Sequence, residues 1–182
     1  NGNSNFKLKT IIDEPDIYYL YLDKDDGDSL NDIITFFGHK GEININTRLV
    51  TFDSGFEISG SKNTELLLEY FSIIRKYNLQ NLDLLEIFYK AQIENNQFRI
   101  DSVNSQLENL IKRKYLYSLN FAITNSSNEV SPYIAISQIP DANIDLLLKL
   151  YDTLPENIKK SKYGKILNLS LIHISEPTRR PK

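Results

Sequence analysis

The stretch Ile58-Ser-Gly-Ser-Lys-Asn-Thr-Glu-Leu-Leu-Leu-Glu-Tyr70 marks the point at which the periodicity of the sequence changes. Before it, apolar and polar residues alternate, which is typical of half-buried strands. After it, apolar residues recur at steps of three and four, from Leu66 to Tyr77, as in an amphipathic helix. Asn63 is a residue type that caps helices, and Glu65 places a negative charge in the first turn. The stretch therefore predicts an α+β chain, with a β-rich part followed by a helical part.

The residues before this point predict short antiparallel strands separated by turns. The expected strands cover residues 6–12, 17–22, 33–37 and 42–47, with one or two more within 51–58. Several short strands with turn residues between them are typical of an antiparallel sandwich or half-barrel. We therefore expect residues 1–60 to form a partial, β-sandwich-like domain.

The residues after it predict an all-helical unit over residues 61–169. The expected helices cover residues 63–77, 82–93, 102–123, 131–138 and 143–154, and a last one begins near Pro155. Their apolar stripes predict a compact bundle. The side chains expected to be buried in it are Leu67, Phe71, Ile74, Leu107 and Leu110.

Composition narrows the class of protein. The chain has 182 residues, a formal net charge of −3 and no cysteine. The absence of cysteine excludes disulfides, thiolate metal sites and thiol redox chemistry within this chain. Its charges are interspersed, so we do not expect a nucleic-acid partner. The longest uncharged apolar runs fall far short of the roughly 20 residues that cross a bilayer, so no membrane span is predicted.

The segment Asp23-Lys-Asp-Asp-Gly-Asp28 is the best candidate for a metal site. Acidic oxygens around a glycine resemble part of a calcium loop, but such a loop needs a glutamate at its twelfth position. Counted from Asp23, that position is Ile34, and counted from Asp25 it is Phe36. A solvated hairpin loop is therefore favoured, and an enzyme that uses this segment with a metal stays open as a rival reading.

Other residues give weak signals. His39 lies in a Gly-flanked turn that lacks the length and terminal Lys-Ser/Thr of a phosphate loop, and His173 lies near the C-terminus. The tyrosines Tyr18, Tyr19 and Tyr21 could stack a sugar or peptide, but a packed sheet face is the favoured reading. We therefore predict no catalytic, cofactor-binding or metal-binding residues, no cofactor, and no enzymatic activity for this chain.

Four stretches resemble the family known as domain of unknown function 4369. They are Phe6-Lys-Leu-Lys-Thr10, Asp13-Glu-Pro-Asp-Ile-Tyr-Tyr-Leu-Tyr-Leu-Asp23, Phe36-Phe-Gly-His-Lys-Gly-Glu-Ile-Asn-Ile45 and the stretch from Ile58 to Tyr70. The later Asn125-Ser-Ser-Asn-Glu-Val-Ser-Pro-Tyr133 is similar to a loop and helix start of the family. The resemblance covers about residues 6–167, and its most specific part is the Gly60-Ser61 junction.

The resemblance implies an exported cell-envelope protein of Bacteroidota, commonly a lipoprotein in the periplasm or at the outer membrane. Many members carry this unit before a thioredoxin-like domain of the thiol–disulfide interchange or peroxiredoxin type. The expected function is that of a non-catalytic N-terminal accessory domain, with that downstream domain as a possible partner. The alternatives are a stand-alone envelope lipoprotein with a binding role, and a metal- or carbohydrate-binding β-sandwich.

The ends of the chain carry expectations of their own. Without a methionine the first residue is not a translation start, so we expect a fragment that begins partway through the β domain, after any lipid-bearing cysteine. The run Leu171-Ile-His-Ile-Ser-Glu-Pro-Thr-Arg-Arg-Pro181 resembles translated sequencing-adapter read-through, a contaminant of metagenomic assemblies. We therefore expect residues 170–182 to be a non-native, unpacked tail.

Overall fold

The structure is a computed structural model that describes residues 5–23 and 32–175, with side chains up to residue 173. The chain forms two compact units, Asn1–Lys62 and Asn63–Lys182. Short antiparallel strands make up the first unit and helices the second, so the predicted α+β class is confirmed. The domain boundaries expected after residues 60 and 169 stay a prediction.

The described part of the first unit contains two small antiparallel sheets. Strand β1 (Asp16–Tyr21) pairs with β2 (Ile33–Gly38), and β3 (Asn44–Asn46) pairs with β4 (Glu57–Ser59). A short 3-10 helix, Leu49–Thr51, lies between β3 and β4. Ile34 and Phe37 of β2 are fully buried. Since they are an odd number of positions apart, they lie on opposite faces, and β2 is buried on both sides.

One of the strand predictions is wrong, and the one or two strands expected within residues 51–58 are a single strand. Residues 6–9 alternate between apolar and polar side chains, but residues 6–12 form no strand, and Phe6, Leu8 and Ile11 are 71%, 74% and 90% exposed. A strand needs a hydrogen-bonding neighbour as well as a period of two, and no strand of the described residues pairs with this segment. Within residues 51–58 only β4 forms, because the chain first turns: the Gly55 N–H donates to the Thr51 carbonyl at 2.8 Å.

The second unit contains six helices in its described part. They are α1 (Lys62–Ile93), α2 (Gln97–Thr124), α3 (Val130–Gln138), α4 (Ile144–Thr153), α5 (Glu156–Lys159) and α6 (Lys162–Ser175). Two expected helices, 63–77 and 82–93, are joined as α1, because the linking Asn-Leu-Gln-Asn contains no glycine or proline. Helix α2 begins earlier than predicted, since the Asn96 side chain accepts from the Arg99 N–H at 3.0 Å and caps it.

Helices α1 and α2 form an antiparallel hairpin with an aromatic seam. Near its base the Tyr70 hydroxyl lies 2.7 Å from the Ser118 Oγ, and further along Lys114 donates to Asn78 at 2.9 Å. The Tyr70 ring stacks on Tyr117 and contacts Phe121, with ring centroids 5.8 and 5.1 Å away. These pairs hold the two longest helices of the chain together.

The core of the helical unit agrees with most of the prediction. Leu67, Ile74 and Leu110 are buried as expected. Phe71 and Leu107 are only half-buried, so the prediction is wrong for them. Phe71 follows Tyr70, which takes the central buried position on α1, and meets the edge of its ring at 5.5 Å.

The expectation of an unpacked tail from residue 170 is wrong for the described residues. Helix α6 continues to Ser175, and Leu171 is 3% exposed. The adapter origin of the segment stays a prediction. Among the described residues, none of the helices combines the length and the apolar character needed to span a bilayer.

We expect alkaline pH to destabilise the helical unit through Tyr70. Burial of the phenol raises the pKa of Tyr70 from about 10 to about 12, and the hydrogen bond with Ser118 opposes this only in part. Because the unfolded chain loses this proton first, stability should fall as pH rises from about 10 towards about 12. Urea unfolding across this range measures the slope, and Tyr70→Phe should flatten it. An equally steep slope in Tyr70→Phe would contradict the assignment.

Candidate functional site at the strand-to-helix junction

Two of the stretches that carry the family resemblance meet where β4 leads into α1. The turn after β2 contains His39, and the turn after β4 contains Gly60 and Ser61. The Ser61 hydroxyl donates to the Phe37 carbonyl at 3.0 Å, and Ser61 is 1% exposed. Sequence positions more than 20 residues apart are thereby held together by a buried hydrogen bond.

The His39 ring belongs to this junction. Its Nε2 atom lies 2.5 Å from the Gly60 carbonyl oxygen, and its Nδ1 atom lies 2.8 Å from the Lys40 carbonyl oxygen. Both ring nitrogens therefore face backbone acceptors, so the ring joins two turns and presents no nitrogen to a substrate. The sequence placed His39 in a Gly-flanked turn but did not predict this role. The Gly residues around it were the available signal.

Gly60 is required by the geometry of the junction. Its φ is +95°, a conformation that residues with a Cβ rarely adopt. A Cβ placed on it would lie within 2.3 Å of the Glu42 carbonyl oxygen, so the two backbone segments are already in contact. Glycine at this position allows β4 to turn into α1 while touching the start of the β3 segment.

Asn63 links distant parts of the helical unit. Its Oδ1 accepts from the Val130 N–H at 3.0 Å, and its Nδ2 donates to the Glu129 carboxylate at 2.7 Å. The expectation that Asn63 caps its own helix is wrong, because α1 already begins at Lys62 and the Asn63 side chain serves the N-terminus of α3. Glu129 itself makes no side-chain capping bond to α3. Asn63 supplies that bond from 67 residues away.

Replacing Asn63 by alanine should lower the free energy of unfolding by about 1 kcal/mol, the usual cost of a lost N-terminal cap. The Val130 N–H would lose its acceptor and the Glu129 carboxylate its donor. Urea unfolding of Asn63→Ala beside Asn78→Ala checks this, since the Asn78 bond to Lys114 is exposed. If the two variants lose the same stability, the capping role of Asn63 is wrong.

The tyrosines of β1 divide between two faces. Tyr18 is half-buried and contacts Phe36, with ring centroids 6.1 Å apart. Tyr19 and Tyr21 are 54% and 60% exposed, and their ring centroids lie 6.2 Å apart. The favoured reading of a packed face is therefore wrong for these two residues. Tyr19 stands opposite Thr35 on β2.

The other candidates lie apart from the junction. Residues 24–28 of the acidic segment fall outside the described residues, and His173 is exposed in the last turn of α6. Within residues 5–23 and 32–175, no three carboxylate or histidine side chains cluster as they would around a metal ion. The predicted absence of catalytic, cofactor-binding and metal-binding residues stays a prediction.

A shallow groove between α1 and α2 is lined by neutral and charged polar side chains. Its volume is about 370 Å³, and the polar residues along it are Gln80, Asp83, Gln106, Asn109 and Arg113. None of the residues that line it is a histidine, serine or threonine, so it offers no pair of nucleophile and imidazole base. The junction, where side chains hold backbone groups, is therefore kept as the candidate site.

The fold and the junction together define an α+β chain in which a small β unit passes through a Gly-Ser turn into helices. Residues 1–67 match the family described as Domain of unknown function (DUF4369), and the resemblance is confirmed over this segment. The match ends inside α1, and the resemblance expected as far as residue 167 stays a prediction. No curated protein and no solved structure matches the chain.

Proposed function

We propose that this chain is a non-catalytic accessory part of an exported cell-envelope protein whose redox chemistry resides in a thioredoxin-like domain. The family match over residues 1–67 is the observation that carries the proposal, because the expected role comes from that family. The sequence contains no cysteine, so any thiol–disulfide chemistry of the intact protein has to come from another segment.

The geometry of the junction supports a structural role for the residues that carry the resemblance. His39 and Ser61 lie at hydrogen-bonding distance from backbone carbonyls, and Asn63 caps a helix. A side chain committed to the backbone in this way stabilises the fold, whereas a catalytic side chain must present its polar atom to a substrate. The alternative within the same class is a stand-alone envelope lipoprotein with a binding role.

Sequencing the intact locus from source DNA tests the proposal. A signal sequence with a lipidation cysteine upstream, and a Cys-x-x-Cys thioredoxin-like domain downstream, would support both the location and the accessory role. A stop codon shortly after residue 169, with the same upstream signal, would favour the stand-alone lipoprotein. An upstream sequence without an export signal would overturn the envelope assignment.

A second candidate, carbohydrate binding, is favoured by the exposed pair Tyr19 and Tyr21. Aromatic rings stack on the apolar faces of sugars, and Thr35, a residue with a hydroxyl, is paired with Tyr19 on the neighbouring strand. Calorimetric titration of the chain with cell-envelope oligosaccharides tests it. Binding that is lost in Tyr19→Ala/Tyr21→Ala and kept in Tyr18→Phe would support the candidate. Binding that survives the double substitution would exclude this face as the site.

A further inference from the structure

Helix α1 has a second face whose large apolar side chains the described residues leave exposed. Leu79, Leu82, Tyr89 and Ile93 are 53%, 61%, 59% and 82% exposed. They lie on a different side of the helix from the buried residues Leu67, Tyr70 and Ile74. Together with positions 68, 72, 75 and 86 they form a continuous line of alternating four- and three-residue steps, which we call the outer stripe.

Steps of four and three are the repeat of helices that pack side by side. In that arrangement the stripe residues of one helix pack against the stripe residues of the other, and charged residues flank this seam. The outer stripe extends from Leu68 to Ile93 and so follows most of α1. Its two charged members, Arg75 and Glu86, have opposite signs and lie on either side of the central pair Leu79 and Leu82.

The opposite charges of Arg75 and Glu86 favour the packing of the outer stripe against a second copy of the chain in antiparallel orientation. When Leu79 is set against Leu82 of the second copy, the same register places Arg75 opposite Glu86 of that copy. By twofold symmetry Glu86 then lies opposite the other Arg75, and Leu68 lies opposite Ile93. A parallel pair in register would instead set Arg75 against Arg75 and Glu86 against Glu86, which is repulsive.

The residues that flank the stripe agree with this register. Along one edge are Glu69, Lys76, Asp83 and Lys90, all exposed. In the antiparallel pair Lys76 approaches Asp83 of the second copy, and Glu69 approaches Lys90. Each half of the pairing thus brings opposite charges together at three places and like charges at none.

Within one copy Glu86 already pairs with Lys90, at 2.5 Å between Oε1 and Nζ. The two side chains are 66% and 60% exposed, and an exposed ion pair of this kind contributes little to stability because water screens it. Exchange of this bond for intermolecular ones is therefore inexpensive. We propose that the outer stripe of α1 is the interface of an antiparallel homodimer, in which Arg75 and Glu86 of two copies pair across the Leu79–Leu82 centre.

Sedimentation velocity of the full chain over a range of concentrations tests the proposal. The chain should dimerise, and Arg75→Glu or Glu86→Arg should each weaken the dimer at least about tenfold, because like charges then meet twice across the interface. The double variant Arg75→Glu/Glu86→Arg should restore dimerisation. Lys112→Glu, an exposed change on α2, is the matched control and should leave the dimer intact. A monomer at every concentration, or no rescue in the double variant, would overturn the proposal.

The orientation has a separate test, since the chain has no cysteine of its own. A mixture of Leu79→Cys and Leu82→Cys chains should form a disulfide-linked heterodimer under mild oxidation, because those positions face each other in the proposed register. Leu79→Cys chains alone should cross-link more slowly. Preferential cross-linking of Leu79→Cys with itself would mean that the helices run parallel, which contradicts the pairing of Arg75 with Glu86.

Discussion

Replacing Leu67 by alanine should lower the free energy of unfolding by about 2–5 kcal/mol. Leu67 is fully buried on the face of α1 that also carries Tyr70 and Ile74. The substitution removes the buried methyl groups and leaves a cavity among neighbours that relax only in part. Leu110 on α2 is 6% exposed and should behave in the same way.

Urea unfolding of Leu67→Ala, with Leu169→Ala as the matched control, measures this effect. Leu169 lies on α6 and is 56% exposed, so its loss should cost less than about 1 kcal/mol. A small cost at Leu67 and at Leu110 would mean that the buried faces of the two longest helices are assigned wrongly.

Replacing Gly60 by alanine should be nearly as damaging to the β unit. The alanine would have to hold a φ of +95°, which costs about 1–3 kcal/mol, and its Cβ would meet the Glu42 carbonyl. Because the contact is with backbone, relief requires the two chain segments to separate. The hydrogen bonds from His39 to Gly60 and from Ser61 to Phe37 would then lengthen together.

Gly41→Ala is the informative comparison for Gly60→Ala. Gly41 also has a positive φ, +135°, but the nearest atom to an added Cβ is in the His39 ring at 3.3 Å. The His39 side chain can move aside, so Gly41→Ala should show the cost of a positive φ without a steric clash against backbone. Urea unfolding and amide exchange at Phe37 and Ser61 distinguish the two cases. Equal losses of stability would show that the close approach to Glu42 is not what requires glycine.

The parts of the fold that depend on local spacing could be predicted from the sequence. The change of period at Gly60 located the start of the helices, and the step from Leu67 to Ile74 identified the buried face of α1. The continuity of α1 through residues 78–81 could also have been predicted, because neither asparagine nor glutamine ends a helix by itself.

The parts that depend on distant partners could not be predicted. The alternation within residues 6–12 predicts a strand, but whether a neighbour pairs with it is set elsewhere in the chain. The local signal at Asn63 was that of a helix cap, and the helix that it caps, α3, is separated from α1 by the whole of α2. At the junction, the resemblance indicated that Gly60 and Ser61 are special, whereas only the structure shows the contacts with Glu42 and Phe37.

The bond from Asn63 to the start of α3 also has a consequence for the order of folding. It joins residues 67 positions apart, so it closes a long loop that contains the whole α1–α2 hairpin. The chain loses conformational entropy when this loop closes, before the bond can compensate for it. Contacts between residues so far apart in sequence therefore tend to form late. Helix α3 should acquire its first turn only after the hairpin has closed, and the φ-value of Asn63→Ala should be close to zero.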